Sequence, residues 1–256
     1  VLSLRNGLRL NRIIAPDGRT LIVAMDHGIA LGAVRGLEKV ADVISKVWRG
    51  GADAVMLNLG MLKAVESFIP KGLGVIASIG VVKTTVSYPY IVEAAVKLGA
   101  DCIKVMFFAE TERDSDNIHR LLELASICTS WGMPLMIEVY PKRNPHSPDT
   151  LAHYVRRCNE VGADIIKTFY TGSKESFKYV VSASASPIVI LGGPRVEKEE
   201  QLLMMVRDAL EAGAIGVAFG RNIWQHPYPE RITAALRMVI HEGRPLDEAV
   251  KLLKGG

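Results

Sequence analysis

A chain of 256 residues with 49% hydrophobic and 23% charged positions has the balance of a soluble protein with a sizeable core, in one large α/β domain or two small ones. No apolar run approaches the roughly 18 residues of a membrane span, so a bilayer-spanning chain is excluded. The net charge of +4 is modest and spread along the sequence, and the basic stretch Lys142-Arg143 carries no interleaved aromatics, which argues against nucleic acid as a partner.

Three scattered cysteines, Cys102, Cys128 and Cys158, suit neither a disulfide framework nor a zinc knuckle, and place the protein in a reducing cytoplasm. The first residues lack the apolar core and cleavage site of a signal peptide, and Val1 in place of Met suggests that residues ahead of it are missing.

In chain order, residues 3–14 read as an amphipathic lead-in helix ended by Pro16-Asp17-Gly18. Leu21 to Met25 then runs as a buried strand into Asp26-His27-Gly28, and a helical pattern follows from about Leu37 to Trp48. Next comes a phrase that recurs. Gly51-Ala52-Asp53 precedes an apolar run at 54–57, Gly99-Ala100-Asp101 one at 102–106, and Gly162-Ala163-Asp164 one holding Lys167. A looser copy, Gly213-Ala214, precedes Ile215 to Phe219. Each copy closes a helix on glycine and opens a strand. Between the copies lie three strands with another entry, at 74–78, 134–140 and 187–191, which with the first makes eight. The stretch from Met61 to Gly72 has room for one short helix.

Continuous apolar strands are expected where both faces are buried. Eight β-α units without a linker predict a single (β/α)8 TIM barrel over 1–256, with the lead-in helix ahead of it and a helical tail at about 246–254. The competing open doubly wound sheet would carry a glycine-rich loop after its first strand, where this chain has Asp26-His27-Gly28.

Barrel active sites form at the C-terminal strand ends. Those ends supply Asp26-His27-Gly28, Asn58, Ser78, Lys104, Glu138 to Tyr140, Lys167, Gly192-Gly193 and Gly220-Arg221. Lys167 shares a strand face with Ile165 and Phe169. A lysine buried there would hold more free amine, the form that attacks a carbonyl, whereas one that snorkels to water would only end the strand. The glycine turns at 192–193 and 220 fall after strands seven and eight, where barrels bind phosphate; backbone N–H groups, a helix N-terminus and Arg221 would hold it. His27 is open to a catalytic role or to holding its turn.

Met25-Asp26-His27-Gly28, Tyr140-Pro141-Lys142, Ile166 to Gly172, Gly192-Gly193-Pro194 and Gly220 to Gln225 together resemble the archaeal-type class I aldolases. That family includes fructose-bisphosphate aldolase, aminodideoxyheptulosonate synthase and the autoinducer-2 phosphate thiolase. The resemblance covers about residues 8–245. It implies that Lys167 forms the Schiff base, Tyr140 is the general acid/base, Asp26 is a carboxylate beside them, and Gly192, Gly193, Gly220 and Arg221 hold a phosphate. It also implies a phosphorylated sugar as substrate, no cofactor, and a homo-oligomer, in that family a homodecamer. The histidines fall mostly away from the strand ends, so no metal is expected.

Strand ends two to five depart from each branch. Trp131 to Leu135 and Asn222 to His226 lean towards the synthase, whose histidine-bearing fourth strand is absent, while Tyr140 is lacking in the thiolase. The expectation is a sugar-phosphate aldolase of the fructose-bisphosphate type, in carbohydrate metabolism, with the synthase activity as alternative. A barrel that binds a sugar phosphate without turning it over is the reading from another class. Lys104 follows Asp101 by the same three positions as Lys167 follows Asp164. Either both ammonium groups share one inward layer, where like charges favour the free amine, or a one-residue shift turns Lys104 outward.

Overall fold

The eight apolar runs pair side by side as β1 (Thr20–Ala24), β2 (Ala54–Asn58), β3 (Gly74–Val81), β4 (Cys102–Ala109), β5 (Leu135–Pro141), β6 (Ile165–Thr168), β7 (Ile188–Leu191) and β8 (Gly216–Phe219). In this computed structural model, which describes residues 7–82 and 87–254, every neighbour is parallel and β8 returns to β1, so the sheet closes into a (β/α)8 barrel. Helices alternate with the strands and pack outside; the last spans Leu246–Lys254. No helix among the described residues is long and apolar enough to cross a membrane.

The recurring phrase has a structural cause. Gly51, Gly99, Gly162 and Gly213 have φ of +87°, +73°, +104° and +109°, the left-handed conformation that ends a helix at least cost on glycine. The alanine N–H then bonds back into the helix, Ala163 to the Cys158 carbonyl for one. The aspartates close the neighbouring strand. Asp53, Asp101 and Asp164 accept from the backbone N–H of Leu21, Val75 and Leu135 at 2.6, 3.0 and 2.8 Å, and their own N–H groups donate to the carbonyls of those same residues. Thus each copy pins the start of β1, β3 or β5 from the strand that follows it. At the fourth copy Ile215 stands where the aspartate would, and only its N–H to the Ile188 carbonyl remains.

The lead-in helix ends earlier than expected, at Leu10. Residues 3–6 lie outside the described residues, and the helix within them runs only from Gly7 to Leu10. The chain then turns to plug the barrel floor: Leu10, Ile13 and Ile14 join the interior cluster of Ile22, Met56 and Ile165. The Thr20 hydroxyl donates to the Ile13 carbonyl at 2.6 Å, and Arg12 pairs with Asp101 at 2.8 Å. The region from Met61 to Gly72 holds the end of a helix at Leu59–Val65 and one 3-10 turn at Glu66–Phe68.

Register decides which side chains face inward. Lys104 pairs with Met136 and Met136 with Ile165, so Lys167 lies two residues further along β6. The same step leads from Lys167 through Val189 and Gly216 to Ala218, then through Ile22 and Ala54 to Met56, then through Ile76 and Cys102 back to Lys104. This is the stagger of a TIM barrel, in which alternate strands fill one interior layer. Met56, Lys104, Lys167 and Ala218 are that layer.

Candidate active site

Two lysines in one closed layer need counter-charges, because a buried unpaired ammonium is costly. Lys104 and Lys167 are 2% and 5% exposed. Lys104 Nζ lies 3.1 Å from Asp26 Oδ2 and 2.5 Å from Glu138 Oε2, and Lys167 Nζ lies 3.2 Å from Glu138 Oε1. The result is a chain of alternating charge, Asp26–Lys104–Glu138–Lys167. Glu138 faces Lys167 because the two are register partners on β5 and β6.

Asp26, Lys104 and Glu138 are tuned by burial against their neighbours. Burial would raise the carboxyls of Asp26 and Glu138, but the ammonium groups of Lys104 and Lys167 outweigh it and hold both below the ordinary carboxylate range. Burial would lower Lys104, and the charges of Asp26 and Glu138 push it the other way, well above an ordinary lysine. The inward placement of Lys104 answers the question of register. Glu138 stands between the two lysines, with one carboxylate oxygen on each.

Asp26 is fixed from the side by the Asn58 amide, which donates to its backbone carbonyl at 2.8 Å, and by Ser78, which hydrogen-bonds its carboxylate. Tyr140 stands two residues beyond Glu138 on the same inward face, half-buried, with its ring edge-on between Phe108 at 5.6 Å and Phe169 at 4.9 Å. These three rings stand two to four residues beyond Lys104, Glu138 and Lys167 along the chain.

The two glycine turns meet on the opposite side. Asn222 ties them together: its Nδ2 donates to the Gly192 carbonyl at 2.8 Å, and its Oδ1 accepts from Val196 N–H at 2.7 Å. Sequence reasoning gave Asn222 no role, although it follows Gly220-Arg221 directly. Gly192 is required by packing, since a Cβ there would sit 2.8 Å from Asn222 Nδ2 and 2.9 Å from the Phe219 ring. Gly193, with φ of +60° and open space beyond, is the one free to present its backbone to a ligand. Arg221 opens a helix of only four residues, Arg221–Trp224, so the helix dipole adds little and its guanidinium is the main positive charge of the turn. Its Nε is buried without a hydrogen-bond partner.

A lysine buried on β6 beside a carboxylate, with an arginine-bearing turn after β8, is the arrangement of an aldolase-type barrel. The model of the DeoC/LacD family aldolases matches residues 20–226, and the chain belongs to that family, as its motifs led one to expect. It is 38% identical to the 2-amino-3,7-dideoxy-D-threo-hept-6-ulosonate synthase of Halobacterium salinarum, over 91% of each chain. It is 33% identical to the 2-amino-4,5-dihydroxy-6-oxo-7-(phosphonooxy)heptanoate synthase of Streptomyces griseus, over 91% of this chain and 89% of that one. Among solved structures it superposes with a TM-score of 0.80 and 26% identity on an archaeal fructose-1,6-bisphosphate aldolase whose catalytic lysine is covalently bound to the carbinolamine intermediate, covering 92% of this chain and 99% of the other.

Proposed function

We propose that the protein is a Schiff-base aldolase that makes or breaks a carbon–carbon bond in a ketose phosphate, with Lys167 as nucleophile. The observation that carries this is the buried Lys167 Nζ at 3.2 Å from Glu138, itself held by Lys104 and Asp26. Lys167 gives a proton to Glu138 and its free amine adds to the ketone carbon. The carbinolamine hydroxyl leaves as water, taking the proton back from Glu138, and an iminium remains. In the cleavage direction the Asp26 carboxylate accepts the proton of the substrate hydroxyl, the aldehyde departs, and the bonding pair enters the iminium to give an enamine. The Tyr140 hydroxyl supports that step as a hydrogen-bond donor to the substrate. In this reading Glu138 shares the acid/base work that the resemblance gives to Tyr140. The substrate phosphate is assigned to Gly193, Gly220 and Arg221, with Gly192 supporting the turn.

At the finer level, relatedness favours a synthase-type condensation like that named for the relatives at 38% and 33% identity. Fructose-bisphosphate cleavage, the expectation from sequence, is the second reading, supported by the structural match at 26% identity. The test is borohydride trapping with a panel of ketose phosphates, followed by assays with triose and amino-acid semialdehyde acceptors. An adduct mapped to Lys167 is expected. Absence of an adduct with every ketose phosphate overturns the reading in favour of a binding barrel, and the acceptor that supports turnover chooses between the two finer readings.

A further inference from the structure

His27 links the two halves of the site, and the proposed chemistry leaves it unused. Its ring stands edge-on to Trp224 at 5.2 Å, and the Trp224 indole is locked by a 2.9 Å hydrogen bond to the Ala24 carbonyl. On one side Nδ1 lies 3.9 Å from Asp26 Oδ1, too far for a hydrogen bond, and is buried without a partner. On the other side the ring presses on the phosphate turn: a Cβ at Gly220 would meet His27 Cε1 at 2.5 Å and Nε2 at 3.2 Å. Beyond that glycine lies Arg221, whose Nε is also buried and unpartnered. Gly220 thus stands between the His27 ring, whose unpartnered Nδ1 faces Asp26 and whose Nε2 faces the turn, and the unpartnered Nε of Arg221, and buried nitrogens left so call for an explanation.

We propose that His27 is a positioning residue that takes up one proton from solvent when the substrate phosphate enters the Gly220–Arg221 turn, and as imidazolium joins that phosphate to the Asp26 carboxylate. One ring N–H would face the phosphate and the other would close on Asp26 Oδ1, so occupancy of the phosphate turn would orient the carboxylate beside Lys167. The proton leaves again with the phosphate. The inference rests on the phosphate reading given above. The charges around the ring fit it. In the empty site burial first, then Lys167 and Arg221, favour the neutral imidazole over the opposing pull of Asp26 and Glu138. A bound dianion adds the negative charge that reverses the balance.

Sulfate is the probe, since it is a dianion that does not itself titrate near neutrality. Calorimetric titration of the whole protein in buffers of different ionisation enthalpy, from about pH 6.5 to 8.5, reads the protons taken up per sulfate bound. Uptake approaching one proton is expected for the wild type. For His27→Gln, sulfate should still bind through Arg221 while the uptake disappears. Should that variant fail to fold, the His27 ring resonances of the wild type serve instead, and they should move to the imidazolium position on adding sulfate. Sulfate binding without proton uptake, or uptake that persists unchanged in His27→Gln, overturns the proposal and leaves the aldolase reading standing. Absence of sulfate binding, or binding indifferent to Arg221→Ala, removes the phosphate site and the proposal with it, while borohydride trapping still tests Lys167 separately.

Discussion

Replacing Lys167 by alanine should abolish turnover while leaving sulfate and phosphate-ester binding intact, because Arg221 and its turn are untouched. A variant keeping a tenth of wild-type activity would have lost only about 1.4 kcal/mol of transition-state stabilisation, far less than a covalent nucleophile supplies, and would refute the role. Lys104→Met removes a buried charge at similar volume. Since Lys104 holds Asp26 and Glu138 below the ordinary carboxylate range, its loss should raise both, and the acid limb of the pH–rate profile should move to higher pH. A limb that stays in place would make Lys104 a bystander. Arg221→Ala should weaken binding of phosphorylated ketoses by about ten- to a hundredfold, the worth of a charge-assisted hydrogen bond, and should affect unphosphorylated ones less. Equal losses would show a structural arginine. At this scale residue type and strand parity single out the two lysines, while their inward placement is seen only in the barrel. The counter-ion between them was not, because that Glu138 faces Lys167 is a fact of register across β5 and β6 and leaves no mark in either strand's own sequence.

The repeated Gly-Ala-Asp phrase belongs to the scale of elements, and its job is to hold strand to strand. Asp164→Ala should leave the Leu135 N–H without its carboxylate and cost about 1–3 kcal/mol of stability. For a domain of this size that lowers Tm by about 2–4 °C per kcal/mol, with imine trapping in the folded protein unchanged. A melting temperature equal to wild type would show that the carboxylate contributes nothing. The phrase was readable as punctuation between helix and strand because glycine and the apolar run are local signals. Its partners were hidden, since each aspartate serves a strand some 26 to 32 residues earlier. The lead-in helix ends early for a related reason: Leu10, Ile13 and Ile14 have helical spacing, yet tertiary burial in the barrel floor dictates their arrangement.

For the molecule as a whole, the barrel floor carries a pH-dependent clamp. His241, on the turn after the helix Pro229–Ile240, places Nδ1 at 2.8 Å from Asp17 and Nε2 at 2.9 Å from Asp53, so only the imidazolium donates to both. Burial lowers its affinity for a proton, but the hydrogen bonds and charges of Asp53 and Asp17 outweigh this and hold its pKa above the ordinary 6.5. A raised folded pKa stabilises fully below that ordinary value and is lost as pH rises through the folded one. The difference in Tm between wild type and His241→Gln should therefore shrink as pH climbs above about 6.5. A constant gap would remove the clamp. The closure of the barrel has a further consequence, in the order of folding. The carboxylate bridges tie strands that are near in sequence, whereas the β8–β1 seam joins Trp224 to Ala24 across 200 residues. Contacts so distant carry the greatest loop-closure entropy and form late. His27, Gly220 and Arg221 lie on that seam, so an anion bound at their turn as proposed would also latch the last gap to close. Backbone amides of β1 and β8 should then exchange with solvent more slowly when an anion is bound, out of proportion to those of β4 and β5.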